Sequence, residues 1–166
     1  MPAPPPLARR GRQLAVGLLF FVAACAPDRP RPSGSAPAAE VTRAETPLPN
    51  GSVALVTPRG GFHVGGQAAL TLEVRCRSGT IAGPIEGEIL IASISGGNVH
   101  VRTLAVAPVT VAAGRQAAVD LVWDEKDDAG RDVADDDFTL RLTFETSTPS
   151  AARQLSTVHY TVTVSP

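Results

Sequence analysis

The chain predicts an all-β fold, an antiparallel sandwich, on three observations. From Gly51 onward apolar and polar residues alternate with period two, and clusters of Gly, Pro, Asn and Asp punctuate the alternation at short intervals. No segment beyond residue 50 repeats its apolar residues at helical spacing. With 166 residues, 43% of them hydrophobic, the chain can bury one ordinary core and still carry a tail.

The elements follow in order. SVALVT, residues 52–57, is the first expected strand, ended by the turn residues PRGG. AALTLEVRC, residues 68–76, sets Leu70, Leu72, Val74 and Cys76 on one face and Thr71, Glu73 and Arg75 on the other. IEGEILIASIS (85–95) and VHVRTLAV (99–106) flank the turn residues GGN and predict a hairpin. VTV (109–111) leads through an AAG corner into QAAVDLVW (116–123), where Val119, Leu121 and Trp123 share a phase. FTLRLTFET (138–146) turns Phe138, Leu140, Leu142 and Phe144 inward, and STVHYTVTV (156–164) does the same with Val158, Tyr160, Val162 and Val164. Seven or eight strands at this spacing predict a single immunoglobulin-like antiparallel β-sandwich over residues 51–166.

Ahead of the domain, Arg9, Arg10 and Arg12 precede the apolar run LAVGLLFFVAA, residues 14–24, the basic and apolar regions of an export signal. The run is too short for a permanent membrane span. It closes in VAAC, Val22 to Cys25, which resembles the lipobox of bacterial lipoproteins: an aliphatic residue, two small residues and a cysteine. The resemblance implies a signal peptide at 1–24 and a diacylglyceryl thioether on Cys25, which becomes the mature N-terminus. Ordinary signal cleavage after ACA, residues 24–26, is the alternative, and it would set Pro27 directly beyond the scissile bond. Two or three acyl chains hold a protein stably on a membrane where one holds it marginally. The expected location is therefore the bacterial cell envelope, on a membrane through a lipid anchor. By resemblance to enteric sorting rules, Ala26 in place of Asp is no signal for retention in the inner membrane, so the outer membrane or a periplasmic face is expected rather than the cytoplasm, and which membrane carries the anchor stays open.

Residues 25–50 are rich in Pro, Ala and Ser and nearly free of bulky apolar side chains, so they predict a disordered tether behind the lipidated cysteine. With Cys25 carrying lipid, Cys76 has no partner in the chain, and its apolar phase predicts a buried, inert thiol.

The segment WDEKDDAGRDVADDDF, Trp123 to Phe138, holds eight carboxylates between two expected strands. Two readings stand. Asp124, Asp127, Asp128, Asp132, Asp135, Asp136 and Asp137 supply oxygen in the number a calcium ion needs, although Ala129 occupies a position where an EF-hand would place a ligand. The other reading is an acidic turn whose Asp and Gly residues satisfy local backbone. Residues 109–144 favour the turn. A glycine corner, a strand ending in Trp-Asp, a polar D-x-x-G-x-x-V turn and an aromatic residue resemble the Ig-like domain of the flagellar hook-capping protein and the intracellular proteinase inhibitor family. The resemblance implies a β-sandwich in which Trp123 is a core residue, Gly130 the turn glycine, Val133 an apolar plug and Phe138 the aromatic opening the next strand. DDD at 135–137 departs from the pattern.

No nucleophile elbow, metal-spaced histidine pair or phosphate-binding glycine loop is present. Nine basic residues against thirteen acidic ones in residues 51–166, with few aromatics, disfavour nucleic acid as a partner. The expected function is a non-enzymatic envelope lipoprotein without a cofactor, whose module binds a protein or surface polymer. A proteinase-inhibitor-like module using TSTPSAARQLS, residues 146–156, and a calcium-dependent adhesion module using the 124–137 loop are the alternatives.

Overall fold

The computed structural model describes residues 40–166. The expected signal peptide, Cys25 and the tether up to Ala39 lie outside the described residues. From Val41 on, the chain forms ten strands: β1 (Val41–Leu48), β2 (Gly51–Pro58), β3 (Phe62–His63), β4 (Ala68–Cys76), β5 (Thr80–Ala92), β6 (Asn98–Thr103), β7 (Val109–Ala112), β8 (Gln116–Trp123), β9 (Asp136–Thr148) and β10 (Ala151–Ser165). They make two sheets, one in the order β1-β2-β4-β8 and one in the order β3-β10-β9-β5-β6, with β7 also paired to β5. All pairs are antiparallel except β3 with β10.

The alternating residues become the core of this sandwich. Leu70, Leu72, Val74 and Cys76 of β4 and Val119, Leu121 and Trp123 of β8 line one sheet; Phe138, Leu140, Leu142 and Phe144 of β9 and Val158, Tyr160, Val162 and Val164 of β10 line the other. Full burial of each such side chain contributes about 1.5–3 kcal/mol, offset by the entropy of ordering it. Across the interface, the Tyr160 hydroxyl donates to the carbonyl of Val53 at 2.7 Å, so the aromatic ring packs while its polar tip ties β10 to β2. Burial pushes the Tyr160 phenol up from its ordinary value.

The structure differs from the sequence expectation in several places. The expected tether, 25–50, ends early, because residues 41–48 pair along their whole length with β2. This edge strand buries only Leu48, so its order rests on main-chain hydrogen bonds that leave no apolar alternation to read. Ten strands replace seven or eight, the additions being β1 and the two-residue β3. β5 begins at Thr80 rather than Ile85, pairing first with β7 and the far end of β9 before its register shifts. The strand expected at 99–106 stops at Thr103. Residues 146–156, the loop of the inhibitor alternative, are the paired ends of β9 and β10 around a tight turn.

Candidate functional site: the acidic loop and the sheet edge it covers

The residues between β8 and β9 carry the acidic cluster, and their placement begins with Trp123. Its ring is fully buried, stands edge-on to Phe138 with centroids 5.0 Å apart at 71°, and donates from Nε1 to the carbonyl of Lys126 at 3.0 Å. The core residue thus holds the first turn of the loop. Two residues on, Glu125 takes a left-handed φ of 53° and turns its carboxylate inward, where Oε2 accepts the amide of Gly66 at 3.0 Å and Oε1 is buried without a partner. The Glu125 carbonyl also accepts from the Val133 amide at 3.0 Å, closing the loop on itself, while Val133 packs against the core.

Asp127 builds the tip. Its Oδ1 accepts from the amides of Ala129 and Arg131, both at 2.9 Å, and its Oδ2 pairs with the Arg131 guanidinium at 2.6 Å. Gly130 sits inside this turn with φ 77°, a left-handed backbone that a side chain adopts only with strain. These hydrogen bonds, led by the Arg131 amide and then its guanidinium, hold the Asp127 carboxyl below the usual carboxylate range.

The neighbouring residues reach the open edge of β6. The amide of Asp128 donates to Val101 at 2.9 Å, its Oδ1 accepts from the Thr103 amide at 3.1 Å, and its Oδ2 meets His100 Nε2 at 2.8 Å. Arg102 donates to the carbonyl of Asp127 at 2.9 Å and pairs with Asp124 at 3.6 Å. The imidazole of His100, and after it the Thr103 amide, draw the Asp128 carboxyl below its ordinary value. β6 ends its sheet, and an uncovered edge of that kind invites pairing with another chain. The acidic loop satisfies that edge locally.

The other predicted residues disperse. Lys126 and Asp132 form a cross-loop pair at 2.5 Å. Asp136 and Asp137 belong to β9 rather than to the loop, so Phe138 is the third residue of its strand and not the first. Asp137 accepts from the hydroxyl of Thr163 on β10 at 2.6 Å, and Asp135 is exposed. Among the described residues no group of three or more His, Cys, Asp or Glu side chains is gathered as a metal ion requires. Asp124, Asp127, Asp128 and Asp132 are engaged with cations and amides, and Asp137 faces a different strand.

The depressed carboxyls give a pH expectation. A group whose folded-state pKa lies below its unfolded value contributes stability that is complete above the ordinary value of about 3.9 and lost as pH falls through the folded one. Acidification below about pH 4 therefore releases the loop from β6 before the core unfolds. Amide exchange at Thr103, Ala129 and Arg131 should accelerate ahead of the β9 amides. Protection of all of them lost in one step would show that these carboxylates do not hold the loop.

Sequence reasoning missed the buried role of Glu125 and the His100–Asp128 contact, because both depend on residues distant in sequence, Gly66 in the β3–β4 connection and His100 on β6. His100 makes its contacts to Asp128 and Thr103 through the same nitrogen, Nε2, so it does not link two partners through opposite ring nitrogens as a catalytic triad base does. Cys76 is buried and unpaired, and burial pushes its thiol up, away from the thiolate that reactivity requires. Arg153, at the β9–β10 hairpin, is exposed but paired with Glu145 at 3.1 Å. No protein-family model matches the chain, and no curated protein matches it closely.

Proposed function

We propose that this chain is a lipid-anchored bacterial envelope protein that presents its sandwich, of immunoglobulin-like type, as a non-enzymatic binding or structural module. The observation that carries the reading is VAAC at residues 22–25, behind a basic and apolar export signal and ahead of a segment rich in Pro, Ala and Ser. The thiol of Cys25 is the nucleophile that would take the diacylglyceryl group. A shortened tether to Val41 still allows the domain to stand off the lipid surface, since 16 residues from Cys25 to Glu40 reach up to about 50 Å when extended. The non-enzymatic part is supported by the placement of the reactive side chains: Cys76 is sealed in the core, and the histidines stand on β3, β6 and β10.

The test is metabolic labelling with a clickable fatty acid in a bacterial host expressing the full chain, followed by membrane fractionation. The parent should take up label and sediment with membranes. Cys25→Ser should lose the label entirely, with no change in the fold of the domain. Label retained by Cys25→Ser, or an unlabelled parent, would overturn the lipoprotein reading.

A further inference from the structure

Ten lysine and arginine side chains lie among the described residues, and seven of them stand in ion pairs. Arg43 pairs with Glu73, Arg59 with Glu40, Arg102 with Asp124, Lys126 with Asp132, Arg131 with Asp127, Arg141 with Glu88 and Arg153 with Glu145. The three without an ion pair are Arg75, Arg77 and Arg115. They are all exposed, and they line one depression of about 370 Å³ with Cys76, Gly114 and Gln116. In a domain with more acidic than basic residues, every cation is compensated except the three that share a concavity.

The fold explains how they meet. Arg75 is the last outward residue of β4, and Arg77 follows it beyond Cys76. Arg115 precedes β8 at the corner made by Gly114, whose φ of 72° reverses the chain, and the Arg115 carbonyl accepts from the Cys76 amide at 3.0 Å. Arg75 lies opposite Gln116 in the β4–β8 register, so the two strand ends bring the three guanidiniums to one corner. Two of them are lightly positioned, Arg77 by the carbonyl of Gly51 at 3.3 Å and Arg75 by Gln116 Oε1 at 3.5 Å. Two carboxylates stand beside them and are engaged elsewhere: Glu73, two residues before Arg75 on β4, pairs with Arg43, and Glu45 meets Arg43 at 3.9 Å and the Ser52 hydroxyl. The Glu45 carboxyl is held low by that hydroxyl first and by Arg43, Arg75 and Arg77 through space.

We propose that the depression framed by Arg75, Arg77 and Arg115 is an oxyanion site that takes phosphate groups. A guanidinium presents a planar fork of N–H donors matched to pairs of oxygens. One planar carboxylate satisfies one such fork, whereas a tetrahedral phosphate offers oxygens in several directions and can bridge three. The site also stands at a defined pole. Val41, where the chain enters the sandwich, pairs with Pro58, and Ala68 pairs with Trp123 at the head of the acidic loop. The arginine corner lies at the other end of β4, about 25 Å away at the usual rise per strand residue. The acidic loop thus lies at the opposite end of the sheet and does not neutralise the arginine corner directly.

The proposal names a ligand class for the binding module and rests on that reading, but its test does not involve the anchor. The full chain, extracted in nonionic detergent at low ionic strength, is titrated calorimetrically with inorganic phosphate and, separately, with glycerophosphoglycerol, a soluble lipid-headgroup phosphodiester. Saturable binding of either probe at millimolar concentration is expected, and the probe that binds tells free phosphate from a headgroup or polymer phosphodiester. Removing one guanidinium, as in Arg115→Gln, should weaken binding roughly tenfold, and Arg75→Gln, Arg77→Gln and Arg115→Gln together should abolish it. Arg59→Gln, which removes an exposed arginine elsewhere, should leave it unchanged. A thermal melt of each variant checks that the fold is intact. No saturable heat with either probe, or equal weakening by Arg59→Gln, would overturn the proposal. A failed titration beside a labelled Cys25 would reject the phosphate site alone, and an unlabelled Cys25 beside a successful titration would reject the anchor alone.

Discussion

Asn50→Asp should destabilise the domain by about 3–5 kcal/mol at neutral pH, the cost of leaving a charge buried without compensation. Asn50 occupies the turn between β1 and β2 and is almost fully buried. Its Nδ2 donates to the carbonyls of Ser78 at 3.0 Å, Thr80 at 2.7 Å and Ser147 at 2.9 Å, so two N–H hydrogens serve three acceptors, one in the β4–β5 connection and two on β5 and β9 of the opposite sheet. Its main-chain carbonyl accepts the amides of Arg77 and Ser78, while the side-chain Oδ1 is buried without a partner. Asp preserves the shape but points a carboxylate at three carbonyl oxygens. Asn50→Ala, which leaves those carbonyls unpaired without adding a charge, should cost less, about 1–3 kcal/mol.

The pH dependence separates the two variants. Burial among acceptors raises the folded-state pKa of an aspartate at this position above its unfolded value of about 3.9. The variant is then least penalised below that value, where the carboxyl is protonated in both states and can donate, and it loses stability as pH rises from there. Urea denaturation at pH 3.5 and pH 7, with Asn50→Ala as the reference at each pH, measures the effect. An Asp variant as stable as Asn50→Ala at pH 7 would show that the side chain escapes to solvent and does not stitch the sheets.

Trp123→Ala should lower stability by about 3–5 kcal/mol, the usual cost of truncating a buried aromatic. For about 127 folded residues this amounts to roughly 10–20 °C in melting temperature. The loss has two parts. The cavity removes the packing against Phe138, and the missing Nε1 frees the Lys126 carbonyl and with it the start of the acidic loop. Trp123→Phe keeps part of the apolar volume and loses the hydrogen bond with a smaller cavity, so a lesser cost, about 1–3 kcal/mol, is expected. Faster amide exchange at Thr103 in both variants would connect the indole to the loop's grip on β6. A melting temperature within a few degrees of the parent for Trp123→Ala would mean that the ring is not a keystone of this corner.

Much of the sandwich is legible in the sequence. β4 and β8 run over the same residues that the alternation marks out, because both are long, interior-facing and bounded by turn residues. Their phase also told which side chains are buried, Leu70 through Cys76 and Val119 through Trp123. β1 was not legible. A strand that buries one side chain of eight and sits beside a proline-rich stretch looks like tether, and only the unpaired edge of β2 makes it a strand. The acidic loop was recognisable as a turn from its Asp and Gly spacing, but the edge it covers could not be inferred, since β6 lies more than twenty residues upstream.

What the amino-acid sequence determined alone is the local part: the period-two β pattern from Gly51 on, the faces of its longest strands, and a turn of carboxylates after Trp123. The reason is that period-two alternation and turn chemistry are set by neighbours within a few residues. The tertiary structure decided the rest. It sealed Asn50 under three carbonyls, one of them 97 residues away, tied Tyr160 to Val53 across 107 residues, and turned Glu125 inward. It also set Arg75, Arg77 and Arg115 around one depression while giving every other cation among the described residues a carboxylate. Such contacts depend on the register and order of strands, which no single segment encodes, because the hydrogen bond or charge that completes each residue comes from another strand.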